Sequence, residues 1–193
     1  HGNCVGVGDG DDHGDDHGHD EEHGQGVGVD MHFWLDPLNA VRMVEAIAGA
    51  LAAADPANAA DYQANAARES ERLEALAAEI DLQLTPLRDR PFVVFHDAYQ
   101  YFEQRFGLIV AGTVTVTPDT MPGAARIAEI RGKIGQSGAA CVFAEPQFEP
   151  AIVETIVEGT GARIGTLDPE GSALPEGPEL YLTLLRGLAA SIA

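Results

Sequence analysis

The feature that most constrains the fold is a regular alternation of short apolar runs and helical patterns from Arg90 onward. The pattern predicts strands over 92–95, 108–114, 140–144 and 163–167, and helices over 98–106, 122–136, 149–158 and 178–192. Consecutive strand–helix units of this kind are typical of a mainly parallel sheet with helices on both faces. We therefore predict an α/β fold with a four-stranded sheet for residues 89–193.

Polar residues follow three of the predicted strands directly. His96 ends the first strand, Glu145 the third and Asp168 the fourth. The carboxyl ends of parallel strands meet at one edge of the sheet, and ligands of open α/β sheets bind there. Each residue also has a structural interpretation: His96 simply ends a strand, Glu145 precedes a proline at a helix start, and Asp168 begins a turn.

Two helical patterns precede the sheet. Asp36 and Pro37 predict a helix start, and the helix should continue to about Ala54. Its apolar residues recur at helical spacing on one face: Leu38, Val41, Val44, Ile47 and Leu51. A second helix should begin with Asp55 and Pro56 and end near Leu84, which makes it roughly 43 Å long. This length exceeds an ordinary crossover and favours a helix that spans two lobes.

His32 lies just before the first of these helices, next to the single tryptophan of the chain. A lone histidine in such a place is usually structural. If the long helix brings it to the same crevice as His96, the two imidazoles and one or two carboxylates would form a reasonable ligand set for a divalent metal. Zinc takes about four ligands from histidine, cysteine, aspartate and glutamate.

Residues 1–29 form an acidic, glycine-rich tract with almost no large apolar side chains, and we expect a mobile loop or tail. The tract contains His13, His17, His19 and His23 among many carboxylates. Imidazoles suit zinc, copper and nickel, so the tract is predicted to collect metal weakly at several sites. The alternatives are a solvated acidic linker or an artefact that resembles a purification tag.

The formal net charge of −20 argues against nucleic acid and against an anionic membrane surface as partners, because both attract lysine and arginine clusters. It suits a protein that attracts cations. No apolar run approaches the length of a membrane-spanning helix. The chain begins with His1 and has no signal peptide, so we expect it to be a fragment or a processed product.

Four motifs together resemble the ZnuA family, the zinc-binding proteins of bacterial high-affinity ABC importers within the cluster A-I solute-binding proteins. They are MHFWLDP, VVFHDAYQYFEQRFGL, CVFAEPQFEPAIVETI and GTLDPEG, in that order from about Asp30 onward. The acidic histidine-rich tract also resembles the mobile loop that precedes the MH-x-WL motif in that family. The resemblance implies two α/β lobes joined by a long rigid helix, with metal bound in the cleft between them.

The resemblance implies specific roles for individual residues. His32 and His96 are expected to bind zinc, and Asp168 is a weaker candidate because zinc members often leave its position to water. Related manganese members typically carry glutamate at the position of His96, so the imidazole favours zinc. Glu145 is expected to line the crevice or support a ligand from behind. A further histidine of the family belongs to an amino-terminal lobe that is mostly absent here.

The same resemblance divides the chain into four parts. They are an acidic loop at 1–29, the last part of the amino-terminal lobe at 30–54, the linking helix at 55–88 and the carboxyl-terminal lobe at 89–193. The cysteine of the CVFAE motif often pairs near the carboxyl terminus in the family, but this chain ends without one. Cys141 is therefore either a buried free thiol, which we favour, or a partner of Cys4.

The resulting hypothesis is a periplasmic zinc-capturing protein, not an enzyme, that delivers Zn²⁺ to an ABC membrane permease. We expect a monomer with no nucleic-acid partner and no direct membrane insertion. One alternative is a zinc-dependent hydrolase with Glu145 or Asp168 as general base, although the chain has no HExxH motif. Another is a metal-binding surface adhesin of the same fold.

Overall fold

The sheet of the carboxyl-terminal part has four parallel strands. The structure is a computed structural model that describes residues 30–115, 122–148 and 151–193. The strands are β1 (Phe92–Val94), β2 (Val110–Thr113), β3 (Cys141–Ala144) and β4 (Arg163–Thr166). Their order across the sheet is β2-β1-β3-β4, and every neighbouring pair is parallel. The prediction of a four-stranded parallel sheet is confirmed.

Six α-helices surround or precede this sheet in the described residues. They are α1 (Pro37–Ala54), α2 (Ala59–Leu84), α3 (Gln100–Phe106), α4 (Ala124–Ser137), α5 (Ala151–Val157) and α6 (Leu180–Ile192). Short 3-10 turns occupy Phe33–Leu35, Pro56–Asn58 and Thr85–Leu87. All six predicted helices are present, with ends that differ by a few residues.

Two predicted helix starts are wrong in detail. Helix α3 begins three residues after Asp97, and its first residue follows Tyr99, whose side chain makes no capping bond. Asp55 precedes a 3-10 turn rather than α2 itself, and its carboxylate accepts hydrogen bonds from Asn58 Nδ2 and Tyr62 Oη instead. The error at Asp55 arises because its carboxylate satisfies its acceptor capacity with side chains where the backbone turns tightly.

The sheet lies between two layers of helices. Side chains alternate along the strands, so Phe92, Val94, Cys141 and Phe143 pack on the side of α1, α2, α3 and α6. Val93, Phe95, Val142 and Ala144 pack on the other side, against α4 and α5. Burial on both faces explains why the central strands β1 and β3 are continuous apolar runs rather than alternating ones.

The apolar face of α1 is buried at its start and exposed further along. Val41 is buried, and Leu38 and Val44 pack against the core beside α2. Ile47 and Leu51 belong to the same predicted apolar stripe, but they are 55% and 43% exposed. Met43 is also exposed. Spacings of three residues drift around the helix, so Leu38 and Ile47 lie on different sides of α1, and the periodicity does not tell what covers each side.

Cys141 lies in β3 and is almost completely buried. It is disulfide-bonded, so the preference for a free thiol is wrong. Cys4 lies outside the described residues, as do His13, His17, His19 and His23.

The order of the strands creates a crevice at the carboxyl edge of the sheet. From β1 the chain crosses to β2 on one side, and it later returns to place β3 on the other side of β1. Such a reversal separates the connections that leave neighbouring strands and leaves space for a ligand. His96 follows β1 and Glu145 follows β3, so both residues lie at this reversal.

Within the described residues, no helix is long and apolar enough to cross a membrane.

Candidate metal centre

His96 lies in a mostly aromatic environment at the end of β1. The residue is 9% exposed. Phe95 turns away from it and stacks on Phe148 with ring centroids 4.5 Å apart, and Phe148 also lies edge-on to His96 at 6.3 Å. Because these rings exclude water from one side of the imidazole, its polar contacts come from a small number of fixed protein groups.

Glu145 is the partner that orients His96. Its Oε1 lies 2.7 Å from His96 Nδ1 and also accepts a hydrogen bond of 3.2 Å from Tyr99 Oη. A carboxylate accepts hydrogen bonds, so this contact assigns the donor role to Nδ1 in the neutral ring of His96. The lone pair of the ring is then on Nε2. Burial, followed by the charge and hydrogen bond of Glu145, raises the pKa of Tyr99 well above its ordinary value, so the tyrosine stays a donor.

His32 approaches His96 from the segment before α1. The two rings meet edge to face with centroids 5.3 Å apart. Asp30 Oδ1 lies 2.7 Å from His32 Nδ1 and also accepts the backbone N–H of His32 at 2.9 Å. This arrangement repeats that of His96, because a carboxylate again contacts Nδ1 and leaves Nε2 with the lone pair. Asp30 was not singled out from the sequence, although an aspartate two residues before a turn residue is a recognisable pattern.

Trp34 connects the His32 segment to the loop after β4. Its ring lies 5.2 Å from that of His32, and its Nε1 donates a 3.0 Å hydrogen bond to the carbonyl of Pro169. Tyr181 of α6 donates a 2.6 Å hydrogen bond to the carbonyl of Trp34. The indole therefore holds His32 in place relative to the carboxyl edge of the sheet.

Asp168 lies at the same edge, but its carboxylate is engaged by its own loop. It accepts hydrogen bonds from the amides of Glu170, Gly171 and Ala173 and from the side chains of Gln147 and Ser172. Partial burial opposes ionisation, but the hydrogen bonds prevail and lower the pKa of Asp168. Across the described residues, no three histidine, cysteine or acidic side chains are grouped closely enough to hold a metal ion.

The structure therefore brings together two of the three predicted ligands. His32 and His96 lie side by side, each with a carboxylate behind it, whereas Asp168 organises the loop that follows β4. Tyr99, which the sequence reasoning missed, supports Glu145. Two imidazoles with available Nε2 atoms suit a borderline cation such as Zn²⁺, which binds imidazole nitrogen at about 2.0–2.1 Å.

Comparison with known proteins identifies the family. The chain matches the family model of ZnuA, zinc-uptake complex component A, periplasmic, over residues 3–193. The chain belongs to this family. The resemblance predicted from the four motifs is confirmed, and so is the α/β fold that it implies.

Relatives in the family are similar over most of this chain. It is 54% identical over 163 residues to the high-affinity zinc uptake system protein ZnuA of Brucella abortus (strain 2308). This match covers 84% of the chain and 49% of the Brucella protein. It is 42% identical over 167 residues to the ZnuA of Paracoccus denitrificans. This match covers 86% of the chain and 51% of the Paracoccus protein. The chain thus spans about half the length of the curated relatives that it matches.

A solved structure with a similar fold belongs to a protein that is also described as an adhesin. It is the laminin-binding protein Lmb of Streptococcus agalactiae, described as a bifunctional protein with adhesin and metal-transporting activity. The chain is 29% identical to it with a TM-score of 0.72, and the match covers 85% of the chain and 64% of the Lmb chain.

Proposed function

We propose that this ZnuA-family chain captures Zn²⁺ as cargo and holds it between His32 and His96 for delivery to the membrane permease of an ABC importer. The observation that carries the proposal is the pair of neighbouring imidazoles, each with Nδ1 bonded to a carboxylate. Metal-binding histidines usually have such a partner, because it fixes the tautomer and makes the other nitrogen a better ligand.

Glu145 supports His96 from behind in this proposal rather than binding the metal itself. Asp168 stays the weaker candidate for a third ligand, because using it would require its carboxylate to give up hydrogen bonds within its own loop. Remaining coordination positions would be filled by water or by residues of a longer chain.

The same proposal assigns α1 to an amino-terminal lobe, α2 to the link and residues 89–193 to the carboxyl-terminal lobe. The exposed apolar side chains of Met43, Ile47 and Leu51 support this division, because they lie one helical turn apart on one face of α1. An apolar stripe of this kind is normally covered by another element. The remaining half of a protein as long as the relatives would supply the cover.

The histidine-rich tract at 1–29 would intercept zinc before the crevice takes it. Its imidazoles and carboxylates would bind weakly and exchange rapidly, whereas the two fixed histidines would bind more tightly. The acidic charge of the chain would raise the local cation concentration. We expect this capture of zinc to take place in the periplasm, and we expect the protein to be a monomer.

A zinc titration tests the proposal. Deletion of residues 9–25 removes most of the histidine-rich tract that would compete for zinc. A chromophoric chelator then reports the zinc affinity of the remaining site. The fluorescence of the single tryptophan provides a second signal, because Trp34 lies 5.2 Å from His32. We expect His96→Ala and His32→Ala each to lower the zinc affinity more than tenfold, whereas Gln104→Ala, an exposed control on α3, leaves it unchanged.

Unchanged affinity in both histidine variants would reject the site. Metal-dependent turnover of ester or phosphoester substrates would favour the hydrolase instead, although family membership supports a cargo-binding role. The adhesin alternative has one observation in its favour, the adhesin activity recorded for the similar Lmb structure. Binding of the chain to immobilised laminin, compared with the His96→Ala variant, tests that alternative.

A further inference from the structure

Asp30 makes an unusual set of contacts for a residue in a turn. One oxygen, Oδ1, contacts both the backbone N–H and the ring Nδ1 of His32. The other oxygen, Oδ2, is buried and makes no hydrogen bond to any residue that the structure describes. A buried carboxylate oxygen without a partner costs free energy, because it loses hydration without gaining a hydrogen bond.

The turn by itself does not require that cost. An asparagine at position 30 could accept both hydrogen bonds with its single carbonyl oxygen and would place no net charge there. What the carboxylate adds is a negative charge on the Nδ1 side of the imidazole. That charge stabilises a positive charge on the opposite side, at Nε2, where a bound cation would lie.

The position of Asp30 is itself held by a hydrogen bond from α3. Tyr101 of α3 donates a hydrogen bond of 3.3 Å to the backbone carbonyl of Asp30. Helix α3 begins four residues after His96, so the segment that carries one histidine also anchors the support of the other. The arrangement matches the pairing of Glu145 with His96, in which Tyr99 is the additional donor.

We propose that Asp30 is a positioning residue that keeps His32 in the Nδ1–H tautomer and directs its Nε2 lone pair towards the crevice. Its charge then strengthens His32 as a ligand, a consequence that rests on the proposed zinc function. The tautomer does not depend on any metal, so the two parts can be tested separately.

The first measurement is the tautomer of His32 in the metal-free chain. Deleting residues 9–25 leaves His1, His32 and His96, and long-range ¹H–¹⁵N correlation of the labelled rings distinguishes Nδ1–H from Nε2–H. His32→Gln assigns the signal. We expect Nδ1–H in the wild type and in Asp30→Asn, which keeps an acceptor oxygen, and a shift towards Nε2–H in Asp30→Ala.

The second measurement is the zinc affinity of the same variants. We expect a loss of about 10–100-fold in Asp30→Ala and a smaller loss in Asp30→Asn, in line with removal of other carboxylates that support metal-binding histidines. Asp89→Ala removes one exposed charge at the opposite edge of the sheet, before β1, and should leave both tautomer and affinity unchanged. Circular dichroism confirms that each variant is folded.

An unchanged Nδ1–H signal in folded Asp30→Ala overturns the proposal, whatever the zinc affinity. Equal losses of affinity in Asp30→Ala and Asp89→Ala overturn the claim that the charge acts locally. A wild-type chain that binds no zinc, but whose His32 tautomer shifts in Asp30→Ala, supports the positioning role and rejects the proposed function.

Discussion

Asp36 and Arg105 form an ion pair with two hydrogen bonds of 2.7 Å that joins the start of α1 to the end of α3. Asp36 is 6% exposed and also accepts the backbone N–H of Leu38 at 2.8 Å, so one carboxylate caps α1 and binds α3. His32 lies four residues before Asp36, and His96 precedes α3. The ion pair therefore ties the segment after His32 to the helix that follows His96.

Replacing Arg105 by alanine should destabilise the chain by about 2–4 kcal/mol, because the buried carboxylate of Asp36 would lose its charged partner. Arg186→Ala is the matched control, since it breaks an equally well-formed pair with Glu79 whose side chains are about half exposed. The control should cost about 1 kcal/mol or less. Urea denaturation measures both, and equal losses would contradict the structural role of the buried pair.

Local patterns in the sequence account for the elements of the fold. Short runs between turn residues, in alternation with helical patterns, located all four strands, and the Asp36–Pro37 pair gave the start of α1. The polar residues that end parallel strands likewise predicted that His96 and Glu145 would lie close together. Both inferences need only the residues adjacent in sequence and the general rule that the carboxyl ends of parallel strands meet at one edge of the sheet.

Contacts between distant segments could not be derived in the same way. Nothing near Asp36 in the sequence indicates Arg105, and nothing near Trp34 indicates the carbonyl of Pro169. The exposure of Ile47 depends on which element covers α1, and the role of Asp30 depends on which side of His32 faces the crevice. Such features require the packing of the whole chain.

Gly165 in β4 leaves no space for a side chain. A Cβ at this position would overlap Cε1 and Cδ1 of Phe143, whose ring is buried in the core. Gly165→Ala should therefore destabilise the chain by about 1–3 kcal/mol through overpacking. Gly132→Ala in α4, where nothing lies within 4 Å, should instead stabilise it by about 0.5–1 kcal/mol. Thermal unfolding of the two variants checks the opposite signs, and a stabilising Gly165→Ala would contradict the packing.

Glu103 on α3 should make stability depend on pH. Burial, and then the charges of Asp97 and Asp30, raise its pKa from 4.5 to about 7. The folded chain then keeps this proton up to about pH 7, whereas the unfolded chain releases it near pH 4.5. Stability should fall as the pH rises through this window and change little above it.

The Glu103→Gln variant isolates this contribution. It should match the wild type near pH 4 and be more stable at pH 8, by roughly 2 kcal/mol after allowance for partial exposure of the carboxyl group. Denaturation at both pH values measures the difference. Glu154→Gln, an exposed position on α5, is the control, and a Glu103→Gln variant that shows no gain at pH 8 would rule out the raised pKa.

Deleting residues 9–25 should remove weak zinc equivalents without weakening the tight site. The deleted tract contains His13, His17, His19 and His23, whereas His32 and His96 keep their carboxylate partners. Isothermal titration calorimetry of the full and shortened chains should therefore show fewer sites at unchanged affinity for the tightest one. Loss of the tightest site on deletion would contradict the division between a collecting tract and a crevice.

Manganese should compete poorly with zinc for the crevice. Imidazole nitrogens favour zinc, whereas manganese prefers carboxylate and water oxygens, and each crevice carboxylate here is directed at an imidazole or at its own loop. His96→Glu should reduce the preference for zinc over manganese, because it replaces one nitrogen ligand with oxygen. His96→Gln provides a neutral control of similar size. Competition between the two metals, followed with a zinc-specific chromophore, measures the ratio of affinities. Equal affinity of the wild-type chain for both metals would reject selection by the two histidines.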